Sequence, residues 1–430
     1  MKINIKILVA LITFTSCINI FGETSLCREI VDQKLCDEIG QMLIIGFGGF
    51  KQDDNGKILW NDTNAMKFNK NSLISKHIAS NHIGGIILFL KPARDIKTNT
   101  FIRDRNIQNP AQVAELNQDL QEHNKRIRKS QNLPSLPLFI GVDQEGGYVD
   151  RLPVTQGFPV KTLLPQDFGA KNSTKETYVY AKKLAQELSY LDFNLNFAPV
   201  VDVNINPINP IIGGLGRSFS SDPAIVSSQA KQFIKAFNAY KIIPVLKHFP
   251  GHGSSTNDSH LGLVDVTATY QKDKELQPYA NLIADGYSGM IMTTHTINGQ
   301  IDQTQCKAGL EADHSTWCPG TMSKKTLTDL LRKQMRFKGL IVSDDMTMGA
   351  IIKEYDLRTA YKNAINAGVD IFIVANNYKD QTDEVINTIA QLVRSGDVKR
   401  EKIDAAYNRI INFKKTLSKD DAILNIASDR

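Results

Sequence analysis

The 430-residue chain is poor in cysteine and tryptophan, with five and two, and it lacks several features that would decide its class at once. No CxxC spacing occurs, which removes the ribbon and finger types of zinc site. No apolar run reaches the ~20 residues that a bilayer span needs. No dense basic run with interleaved aromatics is present, and the net charge of +6 is spread along the chain, so no nucleic-acid partner is expected. There is no internal repeat at a solenoid period. The glycine cluster Gly46-Phe47-Gly48-Gly49-Phe50-Lys51 lacks the third glycine of a GxGxxG fingerprint, so the dinucleotide reading of an open sheet fails.

What is present begins with a leader. Lys2 and Lys6 precede about ten mostly apolar residues and then small ones, the pattern of an export signal. Phe14-Thr15-Ser16-Cys17 loosely matches a bacterial lipoprotein cleavage box, with Cys17 as the candidate lipid-bearing residue; plain cleavage near Gly22 is the alternative. The expected division is a signal over 1–22, a catalytic unit over 27–416 and a polar tail over 417–430. An exported chain, periplasmic or membrane-anchored, tolerates disulfides. Beyond Cys17 four cysteines remain, and four allow three pairings. Short loops close most easily, so Cys27–Cys36 and Cys306–Cys318 are the expected pairs.

Eight short apolar runs follow one another at 41–47, 84–90, 138–142, 194–200, 242–248, 288–295, 339–345 and 369–374. Helical patterns separate them, at 111–129, 175–191, 223–240, 276–286, 323–336 and 355–368, with closing helices at 381–395 and 400–416. The runs are continuous rather than alternating, the mark of parallel strands covered on both faces. Eight such units predict an α/β fold, a (β/α)8 TIM barrel without a second domain. Three polar stretches, 51–71, 93–110 and 298–319, read as insertions, the last stapled by the second cysteine pair.

Polar residues stand at the C-terminal end of nearly every run, where a barrel displays its chemistry. Asp143-Gln144-Glu145-Gly146-Gly147 leaves the third, with Arg151 shortly after; a carboxylate and a guanidinium can clamp sugar hydroxyls. Gly213-Gly214-Leu215-Gly216-Arg217 follows the fourth and opens no helix, so Arg217 reads as a substrate contact rather than part of a phosphate loop. Asp344 and Asp345 end the seventh. Neighbouring side chains of an extended segment point apart, so one faces the barrel mouth and the other bonds elsewhere. A carboxylate in the mouth can attack an anomeric carbon.

The fifth run enters Lys247-His248-Phe249-Pro250-Gly251-His252-Gly253 and then Asp258-Ser259-His260. Pro250 and Gly251 deny His248 and His252 a shared helical face, so no metal is expected. Asp258 and His260 can fold onto each other, and a carboxylate on an imidazole fixes its tautomer and raises its pKa. Such a dyad can protonate a leaving oxygen and then deprotonate water. Gly251 and Gly253 are expected to be the flexible stem of this arm.

These three motifs, in this order, resemble the signatures of the bacterial β-N-acetylglucosaminidases of glycoside hydrolase family 3. The resemblance implies a retaining exo-hydrolase of β-linked N-acetylhexosamine, with carbohydrate as partner; no cofactor is expected, and the chain is expected to be a monomer. It implies Asp344 as nucleophile, His260 as general acid/base, Asp258 as its partner, and Asp143, Arg151, Arg217, Lys247 and His248 as the residues that hold the sugar. Two positions depart from the usual pattern: Tyr148 stands where the family usually has Arg, and Ser254 where it usually has Asp or Glu. The implied alternatives are an N-acetylglucosaminide phosphorylase, a β-glucosidase, or a silent glycan-binding lipoprotein.

Overall fold

The computed structural model describes residues 32–48, 51–52, 58–59, 67–90, 105–306, 317–377 and 379–417. The expectations for 1–22, for Cys17 and for a Cys27–Cys36 pair therefore lie outside the described residues. Eight parallel strands close a barrel: β1 Leu43–Gly46, β2 Gly85–Ile87, β3 Phe139–Val142, β4 Leu195–Asn196, β5 Ile243–Phe249, β6 Met290–Thr293, β7 Leu340–Asp345 and β8 Ile371–Val374. Each pairs with its sequence neighbours, and β1 closes on β8 through Leu43↔Phe372 while pairing β2 through Ile44↔Gly85. All eight fall inside or within one residue of the expected runs.

Strand four is shorter than expected. Pro199 cannot donate to the ladder, so regular pairing stops at Asn196. It resumes as single bonds, Val245 N to Ala198 O and Val201 N to Lys247 O, both 2.9 Å.

The helices form where Pro and a capping residue meet. Asn109 Oδ1 accepts from Gln112 N with Pro110 at the first turn of Pro110–Ser130, and Asp222 Oδ1 accepts from Ala224 N with Pro223 opening Pro223–Ala239. Thr174–Tyr190 packs on Pro223–Ala239 through an aromatic series, with Tyr180 6.1 Å from Phe233 and Phe233 5.7 Å from Phe237. The segment Lys325–Gln334, expected as an α-helix, is wound more widely, as a π-helix. It closes with Met335 N bonding Leu330 O.

The N-terminal end of the barrel is plugged by a lysine side chain. Lys414, from the last helix Arg400–Leu417, is fully buried, bonds Gln41 Oε1 and Gly84 O at 2.9 and 2.7 Å, and lies 4.6 Å over the ring of Phe139. Burial pushes its pKa well below the usual lysine value. In the third insertion Cys306 and Cys318 are bonded, with their Cα atoms 4.9 Å apart, as expected. No helix among the described residues is long and apolar enough to cross a membrane.

Candidate active site

The C-terminal mouth of the barrel holds a pocket of about 380 Å³. Seven of the eight expected site residues line it: Asp143, Arg151, Arg217, Lys247, His248, His260 and Asp344. The eighth, Asp258, stands behind His260 and bonds it. A larger groove of about 620 Å³ lies on the outer face beside Tyr180 and Glu187 and contains none of them.

The floor is a buried ion network. Lys247 Nζ lies 2.8 Å from Asp143 Oδ1 and 2.7 Å from Glu145 Oε1. Arg217 grips Glu145 with two bonds, Nε to Oε2 at 2.7 Å and Nη2 to Oε1 at 2.8 Å, and gives Nη1 to Ile211 O. Two cations thus face two carboxylates, which is what lets four charges stay ionised out of water. Burial works against the charge on Glu145, yet Arg217 and Lys247 hold its carboxyl far below the usual range. The same carboxylates keep Lys247 protonated against its burial. Arg217 is therefore clamped rather than carried on a flexible turn. Arg151, in contrast, has no side-chain partner among the described residues and presents its guanidinium to the pocket.

Asp202, in the segment that follows β4, is the second anchor. Its Oδ2 lies 2.6 Å from His248 Nδ1, and its Oδ1 accepts from the backbone N of His248 and of His252 at 3.2 and 2.8 Å. The imidazoles and these N–H bonds lower the Asp202 pKa despite burial. An ionised carboxylate cannot donate, so His248 carries its proton on Nδ1 and turns Nε2 inward.

The paired aspartates divide as expected. Asp345 bonds elsewhere: it accepts from Thr347 N and Oγ1, from Ala375 N and from Asn377 Nδ2. Among the described residues Asp344 accepts only from the N of Asp345, at 2.8 Å, and it lines the pocket. Burial would raise its carboxyl, but His248, His295 and His260 hold it down to about 2. His295 supports the same strand by reaching Asp345 O at 3.1 Å.

The Asp258–His260 dyad is formed. His260 Nδ1 lies 2.7 Å from Asp258 Oδ1, which also accepts the backbone N of His260 at 2.9 Å. Desolvation opposes protonation of His260, but the bond to Asp258 and the charges of Asp258 and Asp344 prevail and raise its pKa. The arm is docked on the turn after β7: Gly349 N bonds His260 O at 3.1 Å, and Lys353 Nζ bonds Leu261 O at 2.8 Å.

The glycine stem differs from expectation. A Cβ on Gly253 would lie 1.8 Å from Val203 O, and one on Gly251 2.6 Å from Glu275 Oε2. These glycines permit close packing and are not hinges. Residues 250–255 are buried, and exposure begins only at Thr256. Nor is His252 a ligand-like side chain. It bonds Ser255 and Ser259 through its two nitrogens, both at 2.9 Å, and burial lowers its pKa to about 4.

Sequence reading did not assign Glu145 or Asp202 their work, although both stood at strand ends. It also missed Arg105, which lies in a polar insertion and bonds Asn377 Oδ1 at 2.8 Å behind Asp345.

Comparison with known proteins agrees with this geometry. The chain is 33% identical over 371 residues to beta-hexosaminidase A of Pseudoalteromonas piscicida, covering 83% of this chain and 57% of that one. It is 34% identical over 306 residues to a beta-hexosaminidase of Shewanella frigidimarina, covering 69% and 75%. A solved family 3 beta-N-acetylglucosaminidase from a Paenibacillus species superposes with a TM-score of 0.70 at 29% identity, over 90% of this chain and 64% of that one. A beta-N-acetylhexosaminidase of Beutenbergia cavernae gives a TM-score of 0.70 at 25% identity, over 89% and 98%. This chain therefore spans little more than half the length of the Pseudoalteromonas protein. The model of the glycosyl hydrolase family 3 N-terminal domain matches residues 34–413. With that match over nearly the whole barrel, the chain belongs to glycosyl hydrolase family 3.

Proposed function

We propose that this chain is a retaining exo-β-N-acetylglucosaminidase that removes terminal β-linked N-acetylhexosamine from cell-wall fragments or other glycans. The observation that carries the reading is one pocket lined by an ionised carboxylate, Asp344, and by an imidazole, His260, whose far nitrogen is held by Asp258. The names of the relatives point the same way.

In the first step an oxygen of Asp344 attacks C1. The bond from C1 to the leaving oxygen breaks, and that oxygen takes the proton from His260 Nε2. The product is a glycosyl ester on Asp344. In the second step His260 Nε2, now neutral, takes a proton from water. The hydroxide attacks C1 and releases the Asp344 carboxylate and the sugar with its β-configuration kept. Lys247, Asp143, Arg151, Arg217 and His248 hold the sugar. Apart from Arg151, these side chains are already held by partners in the floor of the pocket, so little reorganisation of them is required as charge develops.

The test is hydrolysis of an aryl β-N-acetylglucosaminide beside an aryl β-glucoside by the wild type and by Asp344→Asn. The expected result is preference for the first substrate, initial release of the β-anomer by NMR, and loss of turnover in the variant by orders of magnitude. Near-wild-type activity of Asp344→Asn would sink the assignment. Formation of a sugar 1-phosphate in phosphate buffer would make the enzyme a phosphorylase instead. We further propose export, with a lipid on Cys17. The intact mass of the mature N-terminus tests this, and plain cleavage near Gly22 is the contrary result.

A further inference from the structure

Exposed apolar side chains scattered singly over a surface need no explanation. Three of the most exposed in this chain are not scattered. Tyr148 is 71% exposed, Ile208 87% and Leu261 70%. They sit on the loops that leave β3, β4 and β5, three neighbouring strands of the barrel. All three loops rise from the catalytic face. Asp344 ends β7, and β3 and β7 lie opposite each other across an eight-stranded barrel.

The turn that carries Tyr148 is also held. Tyr148 occupies a tight turn in which Glu145 N and Gly146 N both bond Val149 O at 3.1 Å, and Val149 N returns to Gly146 O at 3.2 Å. Gly146 and Gly147 have φ of +107° and +59°, and a Cβ on either would strike the backbone of Leu163 or the side chain of Leu164. The turn is thus wedged against its neighbour, and it presents the exposed ring. It lines the same pocket as Asp344 and His260.

From this arrangement we infer that Tyr148 is a specificity-determining residue, a platform for the leaving group, and that the leaving group it fits is a second pyranose ring. The inference rests on the glycosidase reading and deepens it. The sugar that is cut off occupies the charged floor, where the polar groups converge. The part that departs must lie outward, past His260, where it receives its proton. There Tyr148 lines the pocket, and the loops after β4 and β5, on the same face of the barrel, carry the exposed Ile208 and Leu261. A pyranose presents a patch of C–H bonds on its ring face, and such a patch stacks on an aromatic face while its hydroxyls remain in water. A small alcohol gains nothing from this wall.

The experiment compares kcat/KM on N,N′-diacetylchitobiose, whose leaving group is a sugar ring, with kcat/KM on β-N-acetylglucosaminyl fluoride, whose leaving group has none. In Tyr148→Ala the ratio of the first to the second is expected to fall by about three- to tenfold, the worth of one aromatic stacking contact. Tyr148→Phe keeps the ring and is expected to keep the ratio. A Tyr148→Ala ratio equal to the wild-type ratio, or a Tyr148→Phe variant that loses as much as alanine, would overturn the platform while leaving the glycosidase reading intact. A wild type that cleaves neither substrate would overturn both.

Discussion

Nε2 of His252 lies 2.9 Å from Oγ of Ser259, the residue between the two members of the dyad. Through its own backbone N, His252 is also bonded to Asp202, which orients His248. One buried carboxylate therefore sets both a pocket-lining imidazole and the anchor of the arm that carries His260. His252 can serve this way because it stays neutral: one ring nitrogen donates while the other accepts, and burial keeps its pKa near 4.

Removing the Ser259 hydroxyl should loosen the arm without touching the sugar contacts. A hydrogen bond of this kind contributes ~1 kcal/mol net, so Ser259→Ala is expected to lower kcat by roughly fivefold with KM little changed. Steady-state kinetics on an aryl N-acetylglucosaminide measure this. A rise in KM alone would mean that Ser259 supports binding rather than positioning.

The proposed mechanism requires the acid to be protonated at the start of each turnover and the nucleophile to be ionised. Asp344, held at about 2, is ionised throughout the neutral range. The pH profile of kcat/KM should therefore fall on its basic side, as His260 loses its proton, at a pH above the ordinary imidazole value of 6.5. Asp258→Asn removes the anion that stabilises the imidazolium. It should move the basic limb to lower pH and reduce the maximum rate. A limb that stays in place would separate His260 from the proton transfer.

Leaving groups should sort the His260 variants. His260→Ala is expected to lose most on substrates whose leaving group is a sugar alkoxide, because that oxygen needs a proton as the bond breaks. Loss on an activated phenol should be smaller. The span between the two is on the order of 10²–10⁴, the usual contribution of general acid catalysis. Equal loss on both would remove the acid role.

Much of this was legible in the sequence, for a physical reason. Parallel strands buried on both faces must be apolar throughout, so 41–47 and 369–374 announce themselves although they are far apart and pair in the fold. Strand ends are where the apolar run stops, so Asp143, Lys247 and Asp344 could be found at those positions. What a strand-end charge touches is a different matter. Glu145 and Asp143 look alike in the sequence. Only folding shows that Glu145 takes two bonds from Arg217 and shares Lys247, while among the described residues Asp143 receives Lys247 and no other cation. Lys414 had no local signal, because its partners Gln41 and Gly84 lie more than three hundred residues away in sequence.

Glycine carries the same ambiguity. It can mean a hinge or a close approach, and Gly253 proved to be the second. Gly253→Ala places a Cβ against Val203 O, where nothing flexible can yield. Overpacking of this kind costs about 1–3 kcal/mol or more, and it displaces the base of the catalytic arm. Both Tm and kcat should fall. Gly262→Ala, whose Cβ would meet nothing within 4 Å, should leave Tm near wild type. Similar Tm values for the two variants would restore the hinge.

Beneath the same loop, Glu275 is fully buried, and desolvation raises its carboxyl to about 7 from an ordinary value of 4.5. A folded-state pKa above the unfolded one means that the folded protein binds the proton more tightly. The stabilisation is complete below about pH 4.5 and is lost as pH rises through about 7. The shift corresponds to about 3 kcal/mol at most. Glu187 is raised to about 7 by the same cause, so the wild-type curve contains both losses. The informative quantity is the difference in Tm between Glu275→Gln and wild type across pH 4.5 to 8. Glutamine does not titrate, so the variant should gain on the wild type steadily as pH rises. A constant difference across that range would mean that the folded protein binds the Glu275 proton no more tightly than the unfolded chain, and that burial does not raise this carboxyl.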